Sequence, residues 1–434
     1  MRIDTREQAL ALDAADPLRA LREQFDLPAG MIYLDGNSLG VLPRTTAARV
    51  QQVVTQEWGQ DLIKSWNSAG WIDMPARIGD KIARLVGAAP GELVVADSTS
   101  LNLYKVLSAA IRIAQADAPQ RKTLVSERSN FPTDLYIAES LCQQHGLTLK
   151  LIDREDELPA ALDGDVAVLM LTQVNYRSGY MHDMAAVTAA AHAAGALVIW
   201  DLAHSAGAIP VDLNGAGADF AIGCGYKYLN GGPGAPAFVW AHARHVDRFW
   251  QPLSGWMGHA SPFEFTPHYK PAGGMRRYLC GTPSIIASAA LECGVDTLLA
   301  AGPLGGMAAL RKKSVALTEA FIALAEARCG ELGVRLASPR DAAQRGSQVC
   351  LSLAAPLHEA GYAVVQALIA RGVIGDFRAG EPARLDAVPH ILRFGFTPLY
   401  IGFAEVWDAV EHLRQVLASG EWREARFNQK ASVT

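Results

Sequence analysis

Short apolar runs alternate with longer amphipathic stretches through the middle of the chain. Short apolar runs are typical of buried strands, and spacings of three and four residues between apolar positions are typical of helices. Strands are predicted at 92–97, 123–126, 166–172, 197–201, 220–225 and 237–240. A helix is predicted after each of the first three of these strands. This alternation predicts an α/β fold in which helices cover both faces of a mainly parallel sheet.

The two ends of the chain have different patterns. Asp16 and Pro17 are suited to the N-cap and first turn of a helix over 16–25. A short strand, broken by a Gly/Asn turn, is predicted within 31–43, and a helix over 45–58. Beyond about residue 285, a long Ala/Leu-rich helical region and then mixed strands and helices predict a second α/β lobe.

These patterns divide the chain into three parts. The predicted organisation is an N-terminal segment that packs with the small domain, a large domain, and a C-terminal small α/β domain, over 1–55, 56–290 and 291–434.

The composition narrows the class of protein. The chain has 434 residues, is half apolar, and carries a formal net charge of −5. The absence of a Lys/Arg cluster argues against nucleic-acid or membrane-surface partners. The six cysteines are scattered without a CxxC pair, so no metal site is expected. The charged N-terminus lacks the apolar core of a signal peptide, which predicts a cytoplasmic protein.

Two charged side chains follow neighbouring predicted strands. Asp201 ends the apolar strand LVIWD, and Lys227 follows the next strand within GCGYKYLNGGPG. Ligands of such sheets bind at the carboxyl ends of the strands. A desolvated amine has a lowered pKa, which Schiff-base chemistry requires. Asp201 is equally suited to capping a turn, and the glycines after Lys227 to forming a tight one.

Together, these residues match the needs of pyridoxal phosphate. A lysine holds its aldehyde, and a carboxylate keeps its pyridine nitrogen protonated. Thr99 and Ser100 open a predicted helix after the strand ELVVA, where hydroxyls and free N–H groups bind anions. By itself, such a segment is more commonly an ordinary N-cap.

Four longer motifs resemble one family. YLDGNSLG, FPTD, WDLAHSAGAIPVDL and GCGYKYLNGGPGAPAFVW resemble the kynureninases, which are fold-type I pyridoxal phosphate enzymes of the class V aminotransferase superfamily. The resemblance extends from Tyr33 to RFGFTPLY at 393–400. It implies hydrolysis of L-kynurenine to anthranilate and L-alanine, in the kynurenine pathway of tryptophan catabolism and NAD biosynthesis, with some activity on 3-hydroxykynurenine.

The resemblance also implies roles for individual residues. Lys227 matches the Schiff-base lysine, Asp201 the partner of the ring nitrogen, and Tyr226 a phosphate ligand and proton donor. The other implied cofactor contacts are Thr99, Ser100, Phe131, Asp134, Thr172 and His204. Trp256 and Thr282 match the residues by which the partner subunit of a homodimer completes the site. Arg393 matches the ligand of the substrate carboxylate, with Ser38 and Trp66 near the substrate.

Other activities share this fold. Cysteine desulfurases and selenocysteine lyases typically have His before the lysine and a catalytic Cys on a mobile loop, whereas Tyr226 precedes Lys227 here. Cys329 and Cys350 lie at a predicted helix end and within an apolar strand. An aminotransferase is a further alternative. A ligand-sensing regulator built on this fold would carry a basic DNA-binding segment, which this net acidic chain lacks.

Overall fold

The computed structural model describes residues 3–381, 384–385 and 387–429. These residues form two compact units. Unit 1 comprises the described residues of Met1–Arg44, Arg177–Met181 and Thr297–Thr434, and unit 2 comprises Thr45–Tyr176 and His182–Asp296. The boundaries between these units fall after Arg44 and Asp296, whereas the predicted domain boundaries fall after residues 55 and 290. Segment 177–181 was not predicted to join the terminal segments.

The strands fall mainly in two sheets. In chain order they are β1 Ile32–Tyr33, β2 Leu93–Val95, β3 Thr123–Glu127, β4 Thr148–Ile152, β5 Val166–Thr172, β6 Leu197–Asp201, β7 Phe220–Gly223, β8 Phe238–Ala241, β9 Val334–Leu336, β10 Gln348–Leu353, β11 Val373–Ile374, β12 Asp376–Arg378 and β13 Ile391–Gly395.

The α-helices lie between and around these strands. They are α1 Arg6–Ala14, α2 Arg44–Gln52, α3 Ser65–Ser68, α4 Met74–Val86, α5 Thr99–Asp117, α6 Pro132–His145, α7 Leu158–Ala161, α8 Met184–Ala193, α9 Ala243–Val246, α10 Ile285–Leu299, α11 Gly306–Cys329, α12 Gly361–Ala370 and α13 Phe403–Ser419. The stretch Ile285–Leu304 is long and apolar enough to cross a membrane, but half of its most apolar part is buried within the protein.

The sheet of unit 2 has the order β2-β8-β7-β6-β5-β3-β4. Its strands from β7 to β4 are parallel, and β8 runs antiparallel to both of its neighbours, β2 and β7. The predicted mainly parallel sheet is therefore confirmed. The parallel register pairs Thr172 with Asp201 and Asp201 with Ile222, so the carboxyl ends of β5, β6 and β7 lie side by side.

Helix α5 packs against this sheet. Its buried face includes Val106, Leu107 and Ala110, which pack into one apolar cluster with strand residues such as Ile199 and Ile222. Removing such area from water contributes roughly 25 cal/mol per Å². The start of α5 is therefore fixed against the carboxyl edge of the sheet.

Unit 1 contains the antiparallel sheet β12-β13-β10-β9 and the parallel pair β1-β11. Segment 177–181 joins unit 1 through a bridge between Tyr180 and Arg345, and through a hydrogen bond of 2.8 Å from Met181 N to Gln344 O. These backbone bonds explain why five residues from the middle of the chain belong with its two ends.

Two predicted helices differ in kind. Over 16–25 the structure has a 3₁₀ helix, Arg19–Gln24, and both its N-cap residue Leu18 and Leu21 are buried. Residues three apart eclipse in a 3₁₀ helix, so this geometry points both leucines the same way. The predicted helix 45–58 is α-helical only to Gln52, and Val53–Asp61 is a π-helix. Within it, Glu57 is buried and accepts hydrogen bonds from Arg49 and Trp71.

Candidate active site

A cavity of about 350 Å³ opens at the carboxyl ends of β5, β6 and β7. This volume lies within the range of small-molecule sites. Nine residues predicted from the sequence line it: Thr99, Ser100, Phe131, Asp134, Thr172, Asp201, His204, Tyr226 and Lys227. Residues from five separate segments of unit 2 thus come together here.

Lys227 lies in the turn that follows β7. Its Nζ is 3.0 Å from Nε2 of His204, and 5.7 Å from the centre of the Tyr226 ring. A Cβ at Gly225 would lie 2.3 Å from the carbonyl oxygen of Pro236, so this glycine permits close packing of the chain on itself. Gly234 has a φ of +72° and lines the cavity. The turn that follows β7 therefore places Lys227 at the cavity.

Two carboxyl groups are buried together beside this amine. Oδ1 of Asp201 accepts a hydrogen bond of 2.7 Å from Ala203 N. Burial, the charge of Asp201 and a hydrogen bond to it raise the pKa of Asp134 well above its ordinary value. Burial also raises the pKa of Asp201, against the opposing charge of Lys227. Two adjacent buried carboxyls favour sharing one proton.

A buried polar chain supports Thr172 and Phe131. The Thr172 hydroxyl donates to Oδ1 of Asn130 over 2.5 Å, and that oxygen also accepts from Phe131 N at 2.7 Å. Nδ2 of Asn130 donates to Ser126 Oγ at 3.2 Å. Asn130 was not predicted, although its position directly before FPTD was a usable signal.

Helix α5 presents its N-terminus to the same cavity. Ser98 is the N-cap, and its hydroxyl accepts a hydrogen bond of 3.4 Å from Leu101 N. Ser98 lines the cavity together with Thr99 and Ser100, although the sequence pointed only to the latter two. Unpaired N–H groups and the helix dipole make this end of α5 suited to a phosphate.

The chemistry of these groups fits pyridoxal phosphate. An amine, a buried carboxylate, an anion-binding helix start and a half-exposed aromatic ring, Phe131, all face one cavity. Oδ2 of Asp134 is buried and has no hydrogen-bond partner among the described residues, as expected beside a polar ligand. Lys227, Asp201 and the start of α5 are the residues that would hold the aldehyde, the ring nitrogen and the phosphate.

Three other predicted residues of unit 2 lie apart from the described lining of this cavity. Trp66 and Trp256 pack edge to face, with ring centres 5.9 Å apart. Thr282 lines a neighbouring cavity of about 230 Å³, which shares Asp97 and Gly234 with the first. Trp256 and Thr282 were predicted to act on a partner subunit, so a position outside the chain's own cavity is compatible with that role.

Arg393 and Ser38 meet within unit 1. Nη2 of Arg393 donates to Ser38 Oγ over 2.9 Å, and Nε donates to Oδ1 of Asp376 over 2.7 Å. The Asp376 carboxylate also accepts from Nη2 of Arg393 and from Arg378. Asp376 was missed, although the strand VIGDFR carries it. Its carboxylate shows the bidentate geometry by which a guanidinium binds a substrate carboxylate.

Asp35 lies in the same group of charges. Burial and the charge of Asp376 raise the pKa of Asp35 to about 7. Its Oδ1 is buried without a hydrogen-bond partner among the described residues, and so are both polar side-chain atoms of Asn37. The turn of YLDGNSLG therefore brings buried, incompletely satisfied polar groups next to Arg393.

Solved structures share this fold. The apo cysteine desulfurase of Thermococcus onnurineus NA1 matches with a TM-score of 0.75 and 19% identity, over 92% of this chain and 98% of that one. A C-DES mutant with glycine covalently linked to its PLP cofactor matches with a TM-score of 0.76 and 16% identity, over 92% and 98% of the two chains. At these identities the likeness shows the fold, and the predicted fold-type I architecture is confirmed.

Sequence relatives are much closer. A kynureninase of Burkholderia pseudomallei (strain 1106a) is 56% identical over 432 residues, which cover 99% of this chain and 100% of the relative. A kynureninase of Pseudomonas fluorescens is 55% identical with the same coverage. The family profile "Kynureninase C-terminal domain" matches residues 310–413. Similarity of this degree over the whole length establishes that the chain belongs to the kynureninase family.

Proposed function

We propose that this protein hydrolyses the Cβ–Cγ bond of L-kynurenine to give anthranilate and L-alanine, using pyridoxal phosphate. The observation that carries the proposal is the meeting of Lys227 and Asp201 with the start of α5 in one cavity. Full-length relatives named kynureninase support the choice of reaction.

Lys227 and Asp201 divide the proton chemistry. When bound, pyridoxal phosphate supplies an imine to the substrate amine and a ring that withdraws electrons from its α-carbon. Lys227 is the residue that would hold the cofactor aldehyde, and its free amine would move the α-proton of the substrate. His204, 3.0 Å from Nζ, positions the amine. Asp201 is the residue that would keep the ring nitrogen protonated, because its carboxyl lies buried at the cavity.

In the proposed reaction, water adds to the γ-carbonyl of the substrate and the Cβ–Cγ bond then breaks. Tyr226 is the proposed donor of the proton that the β-carbon takes up after this cleavage. A phenol ionises at about pH 10 in water, so it is protonated and able to donate at neutral pH. Tyr226 lines the cavity beside Lys227, and this position supports its role as a proton donor.

Arg393 is the proposed ligand of the substrate carboxylate, with Ser38 and Trp66 as further substrate contacts. The guanidinium is buried and already held in a bidentate geometry by Asp376, so little ordering remains when a carboxylate binds. Trp66 lies outside the described lining of the cavity and packs with the rings of Trp71 and Trp256, and such an aromatic surface offers little to a ring hydroxyl. Kynurenine is therefore the proposed preferred substrate, with lower activity on 3-hydroxykynurenine.

The proposed assembly is a homodimer in which Trp256 and Thr282 of each chain complete the phosphate site of the other. The exposed rings of Phe263 and Phe265, 60% and 75% accessible, continue from Trp256 and are suited to an interface. The proposed setting is the cytoplasm, in the kynurenine pathway of tryptophan catabolism and NAD biosynthesis, without nucleic-acid, membrane or metal partners.

The thiols argue against a desulfurase. Five of the six cysteines are buried, and Cys280 is partly exposed. Burial raises the pKa of Cys329 to about 12 and that of Cys350 to about 11, so neither is a ready thiolate at neutral pH.

The test is anthranilate fluorescence after purified protein and pyridoxal phosphate are mixed with L-kynurenine, with Lys227→Ala as the control. Signal from the wild type and none from the variant supports both the reaction and the lysine. If the wild type shows the visible absorbance of bound cofactor but releases no anthranilate, the kynureninase reaction is rejected. Keto-acid-dependent turnover would then identify an aminotransferase.

A further inference from the structure

Lys105 is a fully buried lysine on α5, in the second turn after the proposed phosphate site. Its side chain has 0% exposure. Nζ donates to the Asp97 carboxylate, to Tyr278 O at 2.7 Å, and to Asn102 Oδ1 at 3.4 Å. An ammonium has three N–H donors, so these three acceptors satisfy it completely. Such a buried cation requires a reason, because removal of a charge from water is costly.

Asp97 is the anionic partner and lies at the cavity. It follows β2, directly precedes the N-cap Ser98, and lines the Lys227 cavity. Its φ of +46° is unusual for a residue other than glycine. Its carbonyl is fixed by a hydrogen bond of 2.9 Å from Ala237 N. A carboxylate is therefore held next to the helix start that is proposed to bind a phosphate.

The charges around the cavity make this position unfavourable for an anion. Among the described residues that line it, Lys227 is the one lysine or arginine, whereas Asp97, Asp134 and Asp201 all contribute carboxyls. Within one chain, the ligands left for the phosphate are therefore hydroxyls and helix N–H groups. Like charges a few ångströms apart repel, and an unneutralised Asp97 would weaken this site.

We propose that Lys105 is a positioning residue that makes the start of α5 receptive to the cofactor phosphate. It neutralises Asp97 and draws its carboxylate onto the buried ammonium. Asn102 supports the arrangement, because its Nδ2 donates to Ala96 O at 2.7 Å and its Oδ1 therefore faces Lys105. The inference rests on the proposed use of pyridoxal phosphate.

The test compares pyridoxal phosphate with pyridoxal, which lacks the phosphate. Cofactor-free protein is titrated with each, and the dissociation constants are measured from the absorbance change. For Lys105→Met, whose side chain is similar in length but uncharged, we expect the constant for pyridoxal phosphate to rise about tenfold and that for pyridoxal to change less than about threefold. The double variant Asp97→Asn/Lys105→Met should return the ratio of the two constants to near the wild-type value.

Asp97→Asn alone keeps the inference testable if Lys105→Met does not fold. Asparagine tolerates a positive φ and still accepts from Nζ, so this variant should bind pyridoxal phosphate at least as tightly as the wild type. Lys81→Met serves as a matched control, because Lys81 pairs with Asp296 and Glu292 and does not line the cavity. Its ratio of constants should be unchanged.

Three results would overturn the inference. They are an equal loss of affinity for both ligands in Lys105→Met, a double variant as weak as that single variant, and weaker binding of pyridoxal phosphate by Asp97→Asn. Failure of the proposed function is distinguishable from these, because a wild-type protein that binds neither ligand would show it directly.

Discussion

Arg393 and Asp376 are direct cross-strand partners of β13 and β12, and Nε of the arginine lies 2.7 Å from Oδ1 of the aspartate. Both side chains are buried. The proposed ligand of the substrate carboxylate is thus already held by a carboxylate of its own chain. Removing one member of a buried pair leaves the other charge uncompensated, which is strongly destabilising.

The first prediction concerns Asp376→Asn. Because Arg393 and Arg378 both lose their shared counter-charge, the free energy of unfolding should fall by about 3 kcal/mol in urea titrations. The Michaelis constant for kynurenine should rise more than the turnover number falls, because Arg393 is less well oriented. Asp408→Asn, which breaks the more exposed pair with Arg6, should change stability far less than Asp376→Asn does. Equal effects of both substitutions would contradict the prediction.

The second prediction concerns Tyr226→Phe. Loss of the proposed donor should lower the turnover number by about 100-fold or more, while the visible absorbance of the bound cofactor is retained. Steady-state kinetics with kynurenine and an absorbance spectrum measure the two quantities. Tyr136→Phe is the control, because Tyr136 is exposed. Turnover near that of the wild type would remove Tyr226 from the role of acid.

The third prediction concerns Asp134→Asn in the cofactor-free protein. Because the pKa of Asp134 is raised in the folded protein, its carboxyl stays protonated there while the same group ionises in the unfolded chain. Stability therefore falls as the pH rises from the unfolded pKa toward the folded pKa. The amide carries no such cost and should stabilise the protein by about 1–2 kcal/mol at neutral pH, and by little near pH 4. Thermal unfolding across this pH range measures the difference. The exposed Asp73→Asn is the control, and a gain independent of pH would refute the assignment.

The fourth prediction concerns Asp219, at the amino end of β7. Burial alone would raise its pKa, but hydrogen bonds from His192, His245 and Arg244 hold the pKa well below its ordinary value. The carboxylate therefore stabilises the fold fully above pH 3.8, its ordinary pKa, and loses this effect as the pH falls through the lowered value. Asp219→Asn should cost about 3 kcal/mol at neutral pH and flatten the acid limb of the stability curve. If Asp219→Asn unfolded in acid as the wild type does, the stabilising role of the Asp219 carboxylate would be disproved.

Local sequence was enough for six of the seven strands in the sheet of unit 2 and for most of the residues that line the cavity. The apolar runs that end at Thr172 and Asp201 are strands, and parallel pairing brings those ends together as expected. Strand β4 was missed because TLKLI is short, partly exposed and alternating at the edge of the sheet. Its apolar signal is correspondingly weak.

Partners that lie far apart in sequence were less accessible. The proposed roles of Asp376 and Lys105 each depend on a contact with a distant residue. Only the strand register or the packing of helix α5 reveals that contact. Arg393 pairs with Asp376 because β12 and β13 are antiparallel, and Lys105 reaches Tyr278 across 173 positions of the chain. A single strand or helix pattern contains no information about such pairs. Asn130 could have been predicted from the sequence, because it directly precedes the FPTD motif.

The segmented construction of unit 1 affects how the chain is made. Its parallel pair joins Ile32 to Val373, and segment 177–181 enters from between two pieces of unit 2. On the ribosome, residues 45–296 emerge before the C-terminal strands and helices exist. Unit 2 therefore has its whole sequence available early, whereas the first 44 residues must wait for their partners. Such delayed long-range pairing makes unit 1 the slower part of the nascent protein to mature.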